Sequence, residues 1–272
     1  MWGLTTFTYP WAFGLPGYPT KDSLTLEDLL ERAARFGAQV VQIAHNTPLH
    51  LLEERTIKRL RELAREKELV LEIGTLGTRR DHLEMYLAIA EMLDARLLRT
   101  ILDEPHYSPS LEEAKREIRS VLPLFAEKNI YLVLENYERK KKEDLHHLFT
   151  EIDHPYFRFC FDTANSLGAF EDPHEVLKLL APYTINVHLK DVVAFRPPYQ
   201  LGFVIEGRPL GQGSLGVQWV FDTLCGQKEV TYLIELLTPW QGSMEKSITT
   251  EAEWAQESVR FLKEVMSHEK GK

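Results

Sequence analysis

Short apolar runs alternate with longer amphipathic stretches along the whole chain. The runs Leu4–Thr8, Val40–Ala44, Leu69–Ile73, Leu97–Ile101, Tyr131–Leu134, Phe157–Phe161, Ile185–Leu189 and Val230–Leu236 are rich in Val, Ile, Leu and Phe. They are too short for helices and predict buried strands. Between them, apolar residues recur three and four apart, as at Leu26, Leu29, Leu30 and Ala33. This spacing predicts helices over Thr25–Phe36, Glu53–Glu66, Arg80–Leu93, Ser110–Glu127, Lys142–Glu151, Pro173–Leu180, Gly216–Leu224 and Glu251–Val265. Ser110 with Glu113 three residues on is a capping box.

Eight strand–helix units in 272 residues predict an α/β fold, a single (β/α)8 TIM barrel occupying residues 1–272 as one domain. An open doubly wound sheet would carry a glycine-rich first turn, and Tyr9-Pro10-Trp11 is not one. The longest irregular stretch, Asp191–Gly213, is rich in Pro and Gly and predicts a mobile lid.

In a barrel the C-terminal strand ends build the active site. The residues closing the apolar runs are Tyr9, His45, Glu72, Arg99, Glu135, Asp162, His188 and Glu235. One strand-end acid is as well explained by an ion pair. Glu135, Asp162, His188 and Glu235, on four successive strands, are not. Three carboxylates at one mouth repel unless a cation neutralises them, and this oxygen-rich set with one imidazole suits a single Mn²⁺, Mg²⁺, Co²⁺ or Zn²⁺ ion.

Composition narrows the setting. The net charge of −9 argues against a nucleic-acid partner. Two cysteines make no disulfide framework. The start of the chain lacks a secretion pattern, and no apolar run approaches a membrane span. The expectation is a cytoplasmic protein without a membrane or nucleic-acid partner, with a homo-oligomer left open.

The segments Glu135-Asn136-Tyr137, Phe161-Asp162-Thr163-Ala164-Asn165, Val187-His188-Leu189-Lys190-Asp191, Pro209-Leu210-Gly211-Gln212-Gly213 and Ile234-Glu235 resemble the xylose isomerase-like TIM barrels. That family includes sugar phosphate isomerases and epimerases and the AP-endonuclease-family-2 proteins. The resemblance spans almost the whole chain and implies a divalent metal on Glu135, Asp162, His188 and Glu235. Asn165 and Lys141 depart from it, standing where ketose 3-epimerases carry His and a second Glu. The histidines of a trinuclear zinc endonuclease are also missing. Thr8-Tyr9-Pro10-Trp11-Ala12-Phe13-Gly14 and Val41-Gln42-Ile43-Ala44-His45-Asn46 are similar to a branch linked with 3-oxo-isoapionate decarboxylases.

Around these ligands, Arg99 either pairs with Glu72 or binds a substrate anion through its planar fork. Arg208, before a tight glycine turn, is a second anion contact. Gly211-Gln212-Gly213-Ser214-Leu215-Gly216 is read as a turn opening a helix, where phosphate could sit. Lys190 shares the side of His188 and faces substrate. Tyr9 and Trp240 offer flat faces to a polyol, and His45, Glu72 and Asn165 complete the expected substrate contacts. Cys160 fills the interior. The expected function is a metal-dependent sugar isomerase or epimerase working through an enediolate on a small anionic carbonyl compound. Glu135, Glu235 and Lys190 are its expected catalytic residues. The alternatives are a lyase of the same fold, either a decarboxylase of a 3-oxo sugar acid or a dehydratase, and a non-catalytic sugar-acid binder.

Overall fold

The computed structural model describes residues 1–269 except Gln200 and Lys228. Gln200, within the expected lid, and residues 270–272, the end of the expected domain, lie outside the described residues. The strands are β1 Trp2–Thr5, β2 Val40–Ile43, β3 Val70–Gly74, β4 Leu97–Thr100, β5 Tyr131–Glu135, β6 Phe157–Asp162, β7 Thr184–Leu189, β8 Asp191–Phe195, β9 Val204–Arg208 and β10 Thr231–Ile234. The helices are α1 Pro10–Phe13, α2 Leu26–Phe36, α3 Glu54–Glu66, α4 Arg80–Leu93, α5 Leu111–Glu127, α6 Lys142–Ile152, α7 Asn165–Gly168, α8 Pro173–Leu180, α9 Gln218–Thr223 and α10 Met244–Glu269. Eight parallel strands close in the order β1-β10-β7-β6-β5-β4-β3-β2, and β8 and β9 form a separate antiparallel pair. The protein is a single (β/α)8 TIM barrel.

Strand alternation divides the core. Leu71, Ile73, Leu132, Leu134, Phe159, Phe161, Val187 and Ile234 face the helices and join one large apolar cluster. The inward positions give only a small plug of Leu97, Val133 and Cys160, packed by Tyr131 and Ile185. Most other inward positions are polar and buried: Thr5, Gln42, Glu72, Arg99, Asn186 and Thr231. Gly3 marks the tightest strand approach, because a Cβ there would lie 1.7 Å from the carbonyl oxygen of Val40.

Three expectations change. Residues Thr6–Thr8 leave the first strand for a 3-10 turn, because Thr5 and Thr8 cap each other across it. The last helix begins at Met244, well before Glu251. The stretch read as an irregular lid is largely a hairpin, with Asp191 opposite Arg208 and Phe195 opposite Val204. Its Val-Val-Ala-Phe and Val-Ile-Glu-Gly segments carry strand character that the flanking Pro and Gly obscured.

Candidate active site

The backbone brings the four expected ligands together. Glu135 and Asp162 close β5 and β6, His188 sits near the end of β7, and Glu235 follows β10. All four are buried. Nδ1 of His188 lies 3.5 Å from Glu135 Oε1, 3.6 Å from Glu235 Oε1 and 3.9 Å from Asp162 Oδ2. That nitrogen has no hydrogen-bond partner, although it is buried.

Local structure orients each carboxylate. Asp162 Oδ1 accepts from the backbone amides of Ala164 and Asn165, which leaves Oδ2 to face inward. The Asn165 side chain donates to Glu135 Oε1 at 2.9 Å, and Thr5 Oγ1 donates to Glu235 Oε1 at 3.0 Å. Asn136 clamps β5 to β6, accepting from the Asp162 amide at 2.7 Å and donating to its carbonyl at 3.0 Å. Sequence reasoning passed over Asn136 and Thr5. Their signal was a polar residue beside or opposite a strand-end acid.

Two cations balance the acids. Arg99 Nε is 3.1 Å from Glu135 Oε2. Lys190 Nζ bridges Asp162 Oδ2 and Glu235 Oε2, the latter at 3.2 Å. Burial alone would raise Glu135, but Arg99 and His188 override it and hold the carboxyl well below the usual range. Glu235 is also lowered, with His188 and Lys190 outweighing its burial. Asp162 is raised, because burial and its acidic neighbours outweigh Lys190. Burial disfavours the charged forms of His188 and Lys190, yet the surrounding carboxylates raise both.

The donor set fits a divalent cation: a buried imidazole nitrogen without a partner faces three carboxylate oxygens. Two triads, Asp162-His188-Glu235 and Glu135-Cys160-His188, each bring their ligand atoms within 4.8 Å of one another. Burial pushes the Cys160 thiol up, so it stays protonated and is the poorer ligand.

Above the acids opens a cavity of about 400 Å³. His45, Arg99, Glu135, Asn165, Lys190 and Glu235 line it. Asp103 and Arg139, which sequence reasoning missed, line it too. Each lies four residues beyond a residue already singled out, Arg99 and Glu135. Phe7, Leu236 and Leu237 supply apolar wall. Asp103 is buried, and both its carboxylate oxygens lack partners.

Other expected contacts lie elsewhere. Glu72 is a layer deeper, and its charged neighbour is Arg96 at 3.5 Å, not Arg99. It sits two residues before the end of β3, whereas Arg99 is level with the strand's last residue, Gly74. Tyr9 is buried beside Arg32 in a separate groove. Trp240 packs with Trp11 and Tyr18 outside the cavity lining. Arg208 is held by Glu206 and does not line the cavity. The glycine turn is already filled. Asp191 accepts from the amides of Val192, Gly211, Gly213 and Leu215, taking the place expected for phosphate.

The buried His–carboxylate cluster is a candidate metal site at the C-terminal mouth of a (β/α)8 barrel, the face where such barrels carry their active sites. Residues 3–265 match the xylose isomerase-like TIM barrel family, and the chain belongs to it. A 3-oxo-isoapionate decarboxylase of Pectobacterium atrosepticum is 34% identical over 261 residues, which cover 96% of this chain and 94% of that protein. D-psicose 3-epimerase from Clostridium cellulolyticum, solved with D-tagatose, superposes with a TM-score of 0.73 at 13% identity, covering 98% of each chain. The probable 3-DHS dehydratase AsbF of Bacillus anthracis gives 0.63 at 17% identity, covering 92% of this chain and 96% of that one. These two structural likenesses concern the fold alone. Among the described residues no helix is long and apolar enough to cross a membrane.

Proposed function

We propose that this chain is a metal-dependent enzyme acting on a small, anionic, polyhydroxylated carbonyl compound, and that its reaction is decarboxylation of a 3-oxo sugar acid. The observation that carries the metal reading is the partnerless Nδ1 of His188 facing Glu135, Asp162 and Glu235. The relative at 34% identity moves decarboxylation ahead of the isomerase or epimerase reading that the sequence favours.

Glu135, Asp162, His188 and Glu235 would hold one divalent ion, Mn²⁺, Mg²⁺, Co²⁺ or Zn²⁺. Bound there, it would supply Lewis-acid polarisation of a substrate carbonyl. Arg139 and Arg99 give the cavity its anion contacts. Arg139 is exposed on the wall with no ion pair among the described residues, while Arg99 is partly neutralised by Glu135. Loss of CO₂ breaks one C–C bond, and its electron pair passes into the adjacent carbonyl to give an enolate. Lys190 holds a proton at Nζ and would deliver it to the enolate carbon, giving the ketone, and the neutral amine would then be reprotonated from water. Asp162 and Glu235, which pair with its Nζ, keep this proton on Lys190 until the enolate forms.

A second reading, isomerisation or epimerisation, is favoured by Glu135 and Glu235 both lining the cavity, where either could move a proton. Tyr9, Glu72, Arg208 and Trp240 take no substrate role in either reading. The partner is a small molecule.

The test begins with metal analysis of active protein and CO₂ release from 3-oxo sugar acids, with neutral ketoses as controls. The expected result is one ion per chain, chelator-sensitive CO₂ release, and loss of the ion in Glu235→Gln with the fold intact. Turnover without metal and insensitive to chelators overturns the metal reading. Faster turnover of neutral ketoses restores the isomerase.

A further inference from the structure

Beneath the four ligands lies a set of buried polar side chains that the proposed reaction does not use. Nε2 of His188 is 2.8 Å from Oε1 of Gln42. Nε2 of Gln42 lies 3.2 Å from Oε2 of Glu72 and 3.2 Å from Oδ1 of Asn186. Asn186 Nδ2 donates to the same Glu72 oxygen at 2.8 Å and to Thr231 Oγ1 at 2.6 Å. Gln42, Glu72, Asn186 and His188 have no exposed surface. Burial raises the Glu72 carboxyl, and Arg96, 3.5 Å from its Oε1, opposes that shift without cancelling it.

Oε2 of Glu72 lies within hydrogen-bond distance of both amide nitrogens and takes both contacts as an acceptor. Both amides therefore turn their NH₂ groups toward Glu72. Gln42 is then left with its carbonyl oxygen facing His188. An acceptor there requires Nε2 of His188 to carry a proton, so in the neutral ring Nδ1 is bare. Nδ1 is the atom that faces Glu135, Asp162 and Glu235. A reversed Gln42 amide would offer a donor and favour the opposite tautomer, with a proton where the ion belongs.

We infer that Glu72 and Gln42 are positioning residues that select the metal-binding tautomer of His188: Glu72 fixes the Gln42 amide, and Gln42 fixes the imidazole. The inference rests on the proposed metal site. It assigns purpose to a carboxyl group that would otherwise be a costly burial in a barrel interior. Partners of a ligating histidine commonly change metal affinity about 10–100-fold when removed.

The experiment uses the full chain, with Mn²⁺ as the calorimetric probe and Mg²⁺ for nitrogen-15 spectra of the histidine rings. Wild-type protein loaded with Mg²⁺ should show His188 protonated at Nε2. Glu72→Gln keeps shape and volume but frees the Gln42 amide to reverse. Gln42→Met removes the acceptor. Each should weaken Mn²⁺ binding about 10–100-fold, and Glu72→Gln should add the Nδ1-protonated form to the spectrum. Val133→Ala disturbs the inner apolar plug without touching this chain of contacts and should bind Mn²⁺ as wild type does. Should Gln42→Met fail to fold, Glu72→Gln and its spectrum still decide. A wild-type His188 protonated at Nδ1, or normal Mn²⁺ affinity in folded Glu72→Gln, overturns the inference and leaves the metal site standing. So does a loss in Val133→Ala equal to that in Glu72→Gln. Wild-type protein that takes up no ion overturns the metal reading, and this inference with it.

Discussion

His45 shows how one side chain at the mouth is tuned. Burial and the neighbouring Arg99 charge push its pKa down to about 4 from 6.5. The fold thus favours the neutral ring. Its contribution is whole above the unfolded value of 6.5 and is lost as pH falls through about 4. Chemical denaturation of wild type and His45→Asn should show a stability gap that narrows by about 2–3 kcal/mol between pH 7 and pH 4. A pH-independent gap would mean that the ring titrates normally. Arg139→Ala should lower kcat/KM for an acidic substrate by about 1.5–3 kcal/mol, the range for a hydrogen bond to a charged group. Matched kinetics on the neutral analogue should show no such loss. The cluster of Glu135, Asp162, His188 and Glu235 was legible from residue type and strand position alone. Arg139 and Asp103 were not, because they lie in loops where periodicity gives no direction. Glu72 was misplaced because a strand-end residue and one a layer below differ by only two positions.

Among the elements, the β8–β9 hairpin was the least legible. Its strands are short, and the prolines and glycines around them read as loop. Its base is fixed by Asp191, whose carboxylate gathers four backbone amides. Gly213 makes this possible, since a Cβ there would fall 2.0 Å from Asp191 Oδ1. Gly213→Ala, through that clash, and Asp191→Ala, through loss of the charged acceptor of four amides, should each cost about 1.5–3 kcal/mol, measured by urea unfolding. Equal unfolding midpoints would show the turn to be held by other contacts. The helices were easier to read. The capping boxes at Thr25 and Ser110 and the apolar stripes they introduce set the starts of α2 and α5.

At the level of the whole barrel, the proposed metal would be linked to the fold. Glu135, Asp162 and Glu235 converge with little solvent to screen them. An ion at 100 times its Kd should stabilise the chain by about 2.7 kcal/mol. Thermal melts with Mn²⁺ and with a chelator should therefore separate by several degrees, and coincident melts would rule out the linkage. The barrel itself was legible because eight short apolar runs, spaced by amphipathic stretches, admit few other closures. The two-residue repeat of each strand has a further consequence. Leu132 and Leu134 face the helices, while Val133 and Glu135 face the axis. Neighbouring positions therefore answer to different selection: one to greasy bulk, which many residues satisfy, the other to chemistry, which few do. A mutational scan of β5 should alternate between permissive and intolerant sites. Lineages that diverge on this scaffold can exchange most of their letters while keeping its shape.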